Sequence, residues 1–152
     1  MRKEITVTID ADGRDFGKAF FLREMSAMRA EKWATRAILA LTRSGIDIPE
    51  DIAKQGLAAV AAMGVHALAG VQFAEAEPLL DEMMQCVQIV PMPARPEVKR
   101  ALIEDDIEEI TTLVTLRREI LALHMGFLPP AVRSIFSKTA TTGDLPNTQT
   151  SP

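Results

Sequence analysis

Late in the chain, five carboxylates fall within six consecutive positions, and acidic side chains at that density could bind a hard cation such as Mg²⁺. They are Glu104, Asp105, Asp106, Glu108 and Glu109. No glycine-bearing calcium loop surrounds them, and an amphipathic segment follows directly. Carboxylates at a helix N-terminus accept hydrogen bonds from its free N–H groups and complement its dipole. We therefore predict that Asp105 or Asp106 caps this helix and that the cluster holds no metal ion.

The side chains best suited to zinc binding or nucleophilic catalysis are few and widely separated. The chain has two histidines, His66 and His124, and one cysteine, Cys86. Neither histidine has a cysteine or carboxylate at zinc-ligand spacing, and no signature of a catalytic cysteine surrounds Cys86. We expect Cys86 to be a small buried apolar residue. The sequence thus predicts no catalytic residue, no metal, no cofactor and no enzymatic activity.

One arginine lies where an apolar side chain is expected. Residues 105–127 are amphipathic, and at about 100° per residue the apolar arc contains Ile110, Leu113, Val114, Ile120 and Leu121. Arg117 falls near the middle of that arc. A buried guanidinium without a partner is costly, so the pattern predicts an ion pair with a carboxylate from another helix. The candidates are Glu24, Glu31, Asp81 and Glu82. The alternative is that this face binds a partner protein.

A second helical segment, residues 24–41, carries a basic stripe beside its apolar face. The basic residues are Arg29, Lys32, Arg36 and Arg43. Met28 and Leu39 lie next to them, away from the face that contains Trp33. One interpretation is a solvated face with two ordinary exposed apolar residues. The other is a docking surface for an acidic helical ligand, since Arg and Met are enriched at interfaces. Its partner-binding residues would be Met28, Arg29, Lys32, Arg36 and Leu39.

Short strands should position part of these residues. Apolar residues alternate over residues 3–10 and are followed by Asp12-Gly13, a turn signal. Residues 16–22 are predicted to return as the second strand of a hairpin. A lone hairpin is marginal in water, and Val87–Val90 is the best candidate for a third strand.

Helices account for most of the remaining chain. The first is predicted to begin after a Ser26 cap and to stop at Gly45. The second runs from Pro49 into the sixties, the third from Pro78 through Cys86, and the last over residues 105–126. The predicted fold class is α+β and mostly helical, with about four main helices and a small N-terminal β-hairpin or three-stranded sheet.

Length and composition favour one folded domain. The chain has 152 residues, of which 47% are hydrophobic and 25% are charged, so we expect a globular domain over residues 1–137. Residues 138–152 are polar and almost free of large apolar side chains. Because such a segment buries too little surface to offset its ordering entropy, it is predicted to be a flexible C-terminal tail.

Charge and hydropathy exclude two classes of partner. The formal net charge is -4 and the pI is about 5.2, whereas a general nucleic-acid binder needs a basic surface. The beginning of the chain lacks an apolar signal core, and no apolar run is long enough to cross a bilayer. We expect a cytoplasmic protein that binds neither nucleic acid nor membrane.

Three segments in order carry a family resemblance: EMSAMRAEKWATRAILAL at residues 24–41, LLDEMMQC at residues 79–86, and DDIEEITTLVTLRREILALHMGF at residues 105–127. Together they resemble the tail assembly chaperones of long-tailed phages and prophages, over roughly residues 16–127.

The resemblance implies a small non-enzymatic protein in the cytoplasm of the bacterial host. Its partner would be the helical tape-measure protein, followed by the tail tube protein. A different class, a small intracellular adaptor of another partner, stays as the alternative. The residues leave self-association open.

Overall fold

The computed structural model describes residues 1–45, 50 and 70–124. Within them the fold is α+β, with a four-stranded antiparallel sheet and three α-helices. In chain order the elements are β1 (Glu4–Thr8), β2 (Ala19–Arg23), α1 (Ala27–Arg43), α2 (Phe73–Met84), β3 (Val87–Val90), β4 (Arg100–Ala101) and α3 (Ile110–His124). None of these helices is long and apolar enough to cross a membrane. The helix predicted from Pro49 into the sixties and the tail at 138–152 lie outside the described residues.

The sheet has the strand order β1-β2-β3-β4, and every neighbouring pair is antiparallel. Val87–Val90 does pair with β2, so the prediction of a third strand there is confirmed. The fourth strand was missed because Arg100–Ala101 is too short to show alternation. The predicted turn at Asp12-Gly13 is part of a longer β1–β2 connection, in which Gly17 has a φ of +80° and donates its N–H to Ile9 O at 2.8 Å.

One face of the sheet packs against the helices. Phe20 and Leu22 of β2 and Ile89 of β3 enter the main core from this face. The opposite face carries a small cluster of Ala19, Phe21 and Val90. There Lys99 Nζ lies 3.7 Å from the centre of the Phe21 ring, a cation–π arrangement. The sheet therefore separates one large apolar layer from one small one.

Helix α1 follows its sequence pattern closely. The Ser26 hydroxyl accepts a hydrogen bond from the Arg29 N–H, as predicted for the cap. The buried residues are Trp33, Ala34, Ala37, Ala40 and Leu41. Because Trp33 is fully buried, its indole N–H needs a partner, and Trp33 Nε1 donates to Leu79 O at 2.9 Å. This bond ties α1 to α2.

Helix α2 begins five residues earlier than the Pro78 start that the sequence suggested. Pro78 lies inside the helix and is exposed. The first turn forms instead at Phe73, where the N–H groups of Glu75 and Ala76 both donate to Gln72 O. The early start brings Ala76 into the core with Leu79 and Met83, although Pro78 inside the helix removes one backbone hydrogen bond.

Candidate functional site

The acidic cluster is organised by a carboxylate from the other end of the chain. Asp15, in the β1–β2 connection, has a side chain that is 1% exposed. Its carboxylate accepts hydrogen bonds from the backbone N–H of Glu108 at 3.1 Å and of Glu109 at 2.9 Å. Lys18 Nζ also donates to Asp15 Oδ1 at 2.7 Å. Asp15 therefore binds the free N–H groups just ahead of α3, the role that the sequence assigned to Asp105 or Asp106.

Electrostatics agree with this structural role. Burial alone would raise the pKa of Asp15, but hydrogen bonds from Lys18, from Thr112 and from the backbone of Glu108 and Glu109 lower it to about 2. A carboxylate that accepts several hydrogen bonds is stabilised in its charged form. Asp15 is therefore ionised and fully engaged at neutral pH.

Asp106 is also engaged, in a separate contact with β4. Both of its carboxylate oxygens accept hydrogen bonds from Arg100, each at 2.7 Å, and Oδ2 also accepts the Ile103 N–H at 2.8 Å. The Arg100 guanidinium lowers the pKa of Asp106 below its ordinary value. Two-pronged Arg–carboxylate contacts are strong and directional. Asp106 thus fastens the turn at Glu104–Asp106 to β4 and does not cap α3.

The remaining acids of the cluster lie toward solvent. Glu108 pairs with Lys18 at 2.9 Å, and Glu109 pairs with Arg14 at 3.0 Å. Glu104 and Asp105 are exposed. Among residues 1–45, 50 and 70–124, no group of three or more His, Cys, Asp or Glu side chains is arranged to hold a metal ion. The nearby basic side chains supply the positive charge that a cation would otherwise provide.

The described histidine, His124, and the cysteine, Cys86, are both buried in the core. His124 Nε2 accepts the Met25 N–H at 2.8 Å, and Nδ1 lies 2.7 Å from Ile120 O. Since a carbonyl can only accept, these contacts assign the proton to Nδ1. Burial raises the pKa of the Cys86 thiol to about 11, which disfavours the reactive thiolate. His66 lies outside the described residues.

Arg117 is placed differently from its prediction, because the buried face of α3 is rotated. The buried residues are Thr112, Leu116, Ile120, Leu121, Leu123 and His124. Ile110 is 79% exposed and Val114 is also exposed, although both belong to the apolar arc read from the sequence. Arg117 therefore lies at the rim of the buried face and is half-buried.

The ion pair predicted for Arg117 is not formed within the described part of the chain. Arg117 Nε is buried there without a hydrogen-bond partner. Burial lowers the pKa of Arg117, and the charge of Asp81 opposes that effect only in part. Glu82, another candidate, is bound to arginines of α1. The carboxylates named from the sequence are thus committed elsewhere or too distant for a direct contact.

The arginines of the α1 stripe face a matching acidic edge on α2. Arg29 lies 3.6 Å from Glu82 and donates to Gln85 Oε1 at 2.9 Å. Arg36 also contacts Glu82. About two turns further along each helix, Arg43 pairs with Glu75 at 2.8 Å. Three of the four basic residues in the stripe therefore join α1 to α2, a role that the sequence could not reveal without knowing that the two helices are antiparallel neighbours.

The outer face of α1, defined by Met28, Lys32 and Leu39, lies beside those arginines. Met28 is 71% exposed and Leu39 is 52% exposed. Lys32 is exposed and has no ion pair within the described residues. On a helical wheel these three positions fall within about 40° of one another. Of the five predicted partner-binding residues, three therefore point outward, and Arg29 and Arg36 border them and both contact Glu82.

An open cleft of about 580 Å³ lies beside the beginning of α1. Its charged lining is mixed, with Arg2, Arg23 and Arg29 facing Glu24 and Asp81. Arg23 is paired with Glu4 at 3.2 Å, and Arg29 is bound to α2. Cys86 also lines the cleft, but its raised pKa keeps the thiol protonated. Among the described lining residues, no hydrogen bond joins the Cys86 thiol to Glu24 or Asp81 as a base would require.

Comparison with protein-family models, curated proteins and solved structures gave no match to this chain. The resemblance to tail assembly chaperones therefore rests on the helix patterns and the LLDEMMQC segment alone. The side chains that are exposed and make no ion pair within the described residues are therefore the candidates for binding a partner.

Proposed function

We propose that this protein is a non-enzymatic tail assembly chaperone of a long-tailed phage or prophage. It binds a helical segment of the tape-measure protein in the cytoplasm of the bacterial host, before the tail tube protein covers that segment. The observation that carries the proposal is the outer face of α1, where Met28 and Leu39 stay exposed around Lys32, while the neighbouring arginines are held by α2.

The dimensions of this face suit a helix. Met28 and Leu39 are separated by about three turns, or about 16 Å along the axis. A partner helix that presents apolar residues at i, i+4, i+7 and i+11 covers about the same length. Lys32 lies between the two apolar residues and favours an acidic side chain on the partner. Its charge would steer the encounter, and burial of Met28 and Leu39 would supply affinity.

The non-enzymatic part of the proposal rests on the chemistry of the described residues. The Cys86 thiol has its pKa raised to about 11 by burial. Both ring nitrogens of His124 are engaged with backbone groups. Among the described residues, Asp15 and Asp106 are buried, ionised and hydrogen-bonded, so neither has a proton to donate as a general acid, and hydrogen bonds already engage their oxygens.

Co-expression with a fragment of the tape-measure protein from the same phage tests the proposal. A tape-measure fragment that aggregates alone should become soluble and co-purify with the wild-type chain. The variant Met28→Ser/Leu39→Ser should lose most of this capture, by about tenfold or more, because two desolvated contacts are removed. The matched control is Ile110→Ser/Val114→Ser, which also removes two exposed apolar side chains from a helix but leaves α1 intact.

Two results would count against the proposal. If the wild-type chain does not solubilise the fragment, the tape measure is not its partner. That result would favour the alternative, an adaptor protein with another partner. If both double variants capture the fragment equally well, the binding surface lies elsewhere than the outer face of α1.

A further inference from the structure

Strand β1 is at one edge of the sheet, and its outer edge is free of pairing within residues 1–45, 50 and 70–124. The Glu24 N–H donates to Lys3 O at 3.0 Å, and the Ile9 N–H donates to Lys18 O at 2.9 Å. Odd-numbered residues of this strand therefore direct their backbone groups toward β2. Because these directions alternate along a strand, Glu4, Thr6 and Thr8 direct theirs outward.

Within the described residues, this edge lacks several of the usual protections against pairing. Natural edge strands are often short, interrupted by proline, or carry a charge that points inward. Here β1 spans Glu4–Thr8 without proline or glycine. Its inward-pointing side chains, Ile5 and Val7, are apolar and pack against the main core. Within the described residues, the strand thus offers a row of unpaired N–H and C=O groups.

We propose that β1 pairs in antiparallel fashion with β1 of a second copy of this chain, with Thr6 opposite the partner's Thr6. In this register Glu4 is opposite the partner's Thr8, and each opposed pair exchanges two backbone hydrogen bonds, about six in total. The twofold axis runs perpendicular to the sheet through Thr6. It joins the two sheets into one and keeps the helices of both copies on the same side.

Charge complementarity selects this register. Arg2 and Asp10 lie two residues beyond the ends of β1, and the symmetric pairing sets Arg2 opposite the partner's Asp10 at both ends. Opposite charges across antiparallel strands stabilise pairing, and like charges destabilise it. A two-residue shift of the partner in one direction would set Glu4 against the partner's Asp10, and a shift in the other direction would lose the pairing of Arg2 with Asp10. The inner face is continuous as well, since Ile5 meets the partner's Val7.

Sedimentation over a range of concentrations tests the proposal, and we expect a reversible dimer. Thr6→Pro should make the protein monomeric with an unchanged circular dichroism spectrum, because the lost N–H points away from β2 and proline is tolerated on edge strands. If Thr6→Pro misfolds, charge-reversal variants at the two ends of β1 test the dimer instead. Arg2→Asp and Asp10→Arg should each weaken the dimer about tenfold, and the combined variant should restore it. A wild-type monomer at all concentrations, or a dimer insensitive to these changes, overturns the proposal.

Disulfide trapping tests the register itself. Opposed residues in such a pair have Cα atoms about 5.5 Å apart, within the range a disulfide spans. Thr6→Cys should therefore form a covalent dimer on mild oxidation. Thr8→Cys is the matched control, because it points to the same edge but lies about four residues from its symmetry mate, about 13 Å. Trapping of Thr8→Cys instead of Thr6→Cys would contradict the register. The outcome does not depend on capture of a tape-measure fragment.

Discussion

Two charged regions of this molecule use their side chains in opposite ways. Around the beginning of α3, Asp15, Lys18 and Asp106 bind backbone groups and each other. On the outer face of α1, Met28, Lys32 and Leu39 are exposed and make no ion pair with the described residues. The first region stabilises the fold by joining segments about 90 residues apart in sequence. We expect the second to contribute little to the fold, and this is why we propose that it binds a partner.

The largest effect is expected at Asp15. Asp15→Ala leaves the N–H groups of Glu108 and Glu109 without their acceptor and Lys18 without its buried partner. We expect the free energy of unfolding to fall by about 3 kcal/mol, measured by urea denaturation. Asp105→Ala is the control, because Asp105 is an exposed acid of the same cluster and should change stability by less than about 0.5 kcal/mol. Equal losses of unfolding free energy in both variants would mean that the hydrogen bonds of Asp15 do not stabilise the fold more than an exposed acid does.

Acid should weaken the same region. The pKa of Asp15 is lowered from 3.8 to about 2 in the folded state, so the unfolded chain binds more protons between these values. Stability from Asp15 is present above pH 4 and is lost as the pH falls toward 2, by about 2 kcal/mol. Asp106, whose pKa is also lowered, acts in the same direction. Urea midpoints at stepped pH should show a shallower decline for Asp15→Ala than for the wild-type chain.

At Arg117, removing the charged side chain should not lower the free energy of unfolding, in contrast to Asp15. Its Nε atom is buried without a hydrogen-bond partner in the described residues, so the folded state carries a desolvation cost there. Arg117→Met keeps the aliphatic bulk and removes the charge, and we expect stability to stay unchanged or rise by about 1 kcal/mol. Thermal unfolding should be measured for Arg117→Met and for the control Arg118→Met, which lies at an exposed position. A loss of about 3 kcal/mol at Arg117 would indicate a buried ion pair after all.

The ion pairs between α1 and α2 should contribute less to the free energy of unfolding than Asp15 does. Glu82 meets both Arg29 and Arg36, but all three side chains are partly exposed to solvent. Glu82→Gln should cost about 0.5–1 kcal/mol, and the cost should shrink in high salt. Glu77→Gln, on the exposed side of α2, should cost nothing measurable. A cost that does not change with salt would argue against an electrostatic origin.

The sequence predicted those features that local patterns determine. Alternation at Ile5 and Val7, the apolar run of β3, the Ser26 cap and the Trp33 face all follow from neighbours in the chain. It did not predict Asp15 as the residue that binds the beginning of α3, because the contact joins two loops that nothing in either loop identifies. It also misjudged the face of α3, since Ile110 and Val114 are apolar yet exposed. Which side of α3 is buried depends on the position of α1, α2 and the sheet.

Similarly, the basic stripe of α1 was visible in the sequence, but its use was not. Arg29 and Arg36 were predicted to bind a partner, but both contact α2 of the same chain, Arg29 through Gln85 and Glu82 and Arg36 through Glu82. Only the pairing of α1 with α2 separates arginines that serve the fold from Lys32, which faces outward.

The most direct test of the account is one pair of measurements on Met28→Ser/Leu39→Ser. Urea denaturation should place its unfolding free energy within about 0.5 kcal/mol of wild type, because both side chains are exposed. Co-purification should show that the same variant loses capture of the tape-measure fragment, while Ile110→Ser/Val114→Ser retains it. A destabilised variant would mean that this face belongs to the fold. A stable variant with wild-type capture would contradict the assignment of binding to α1.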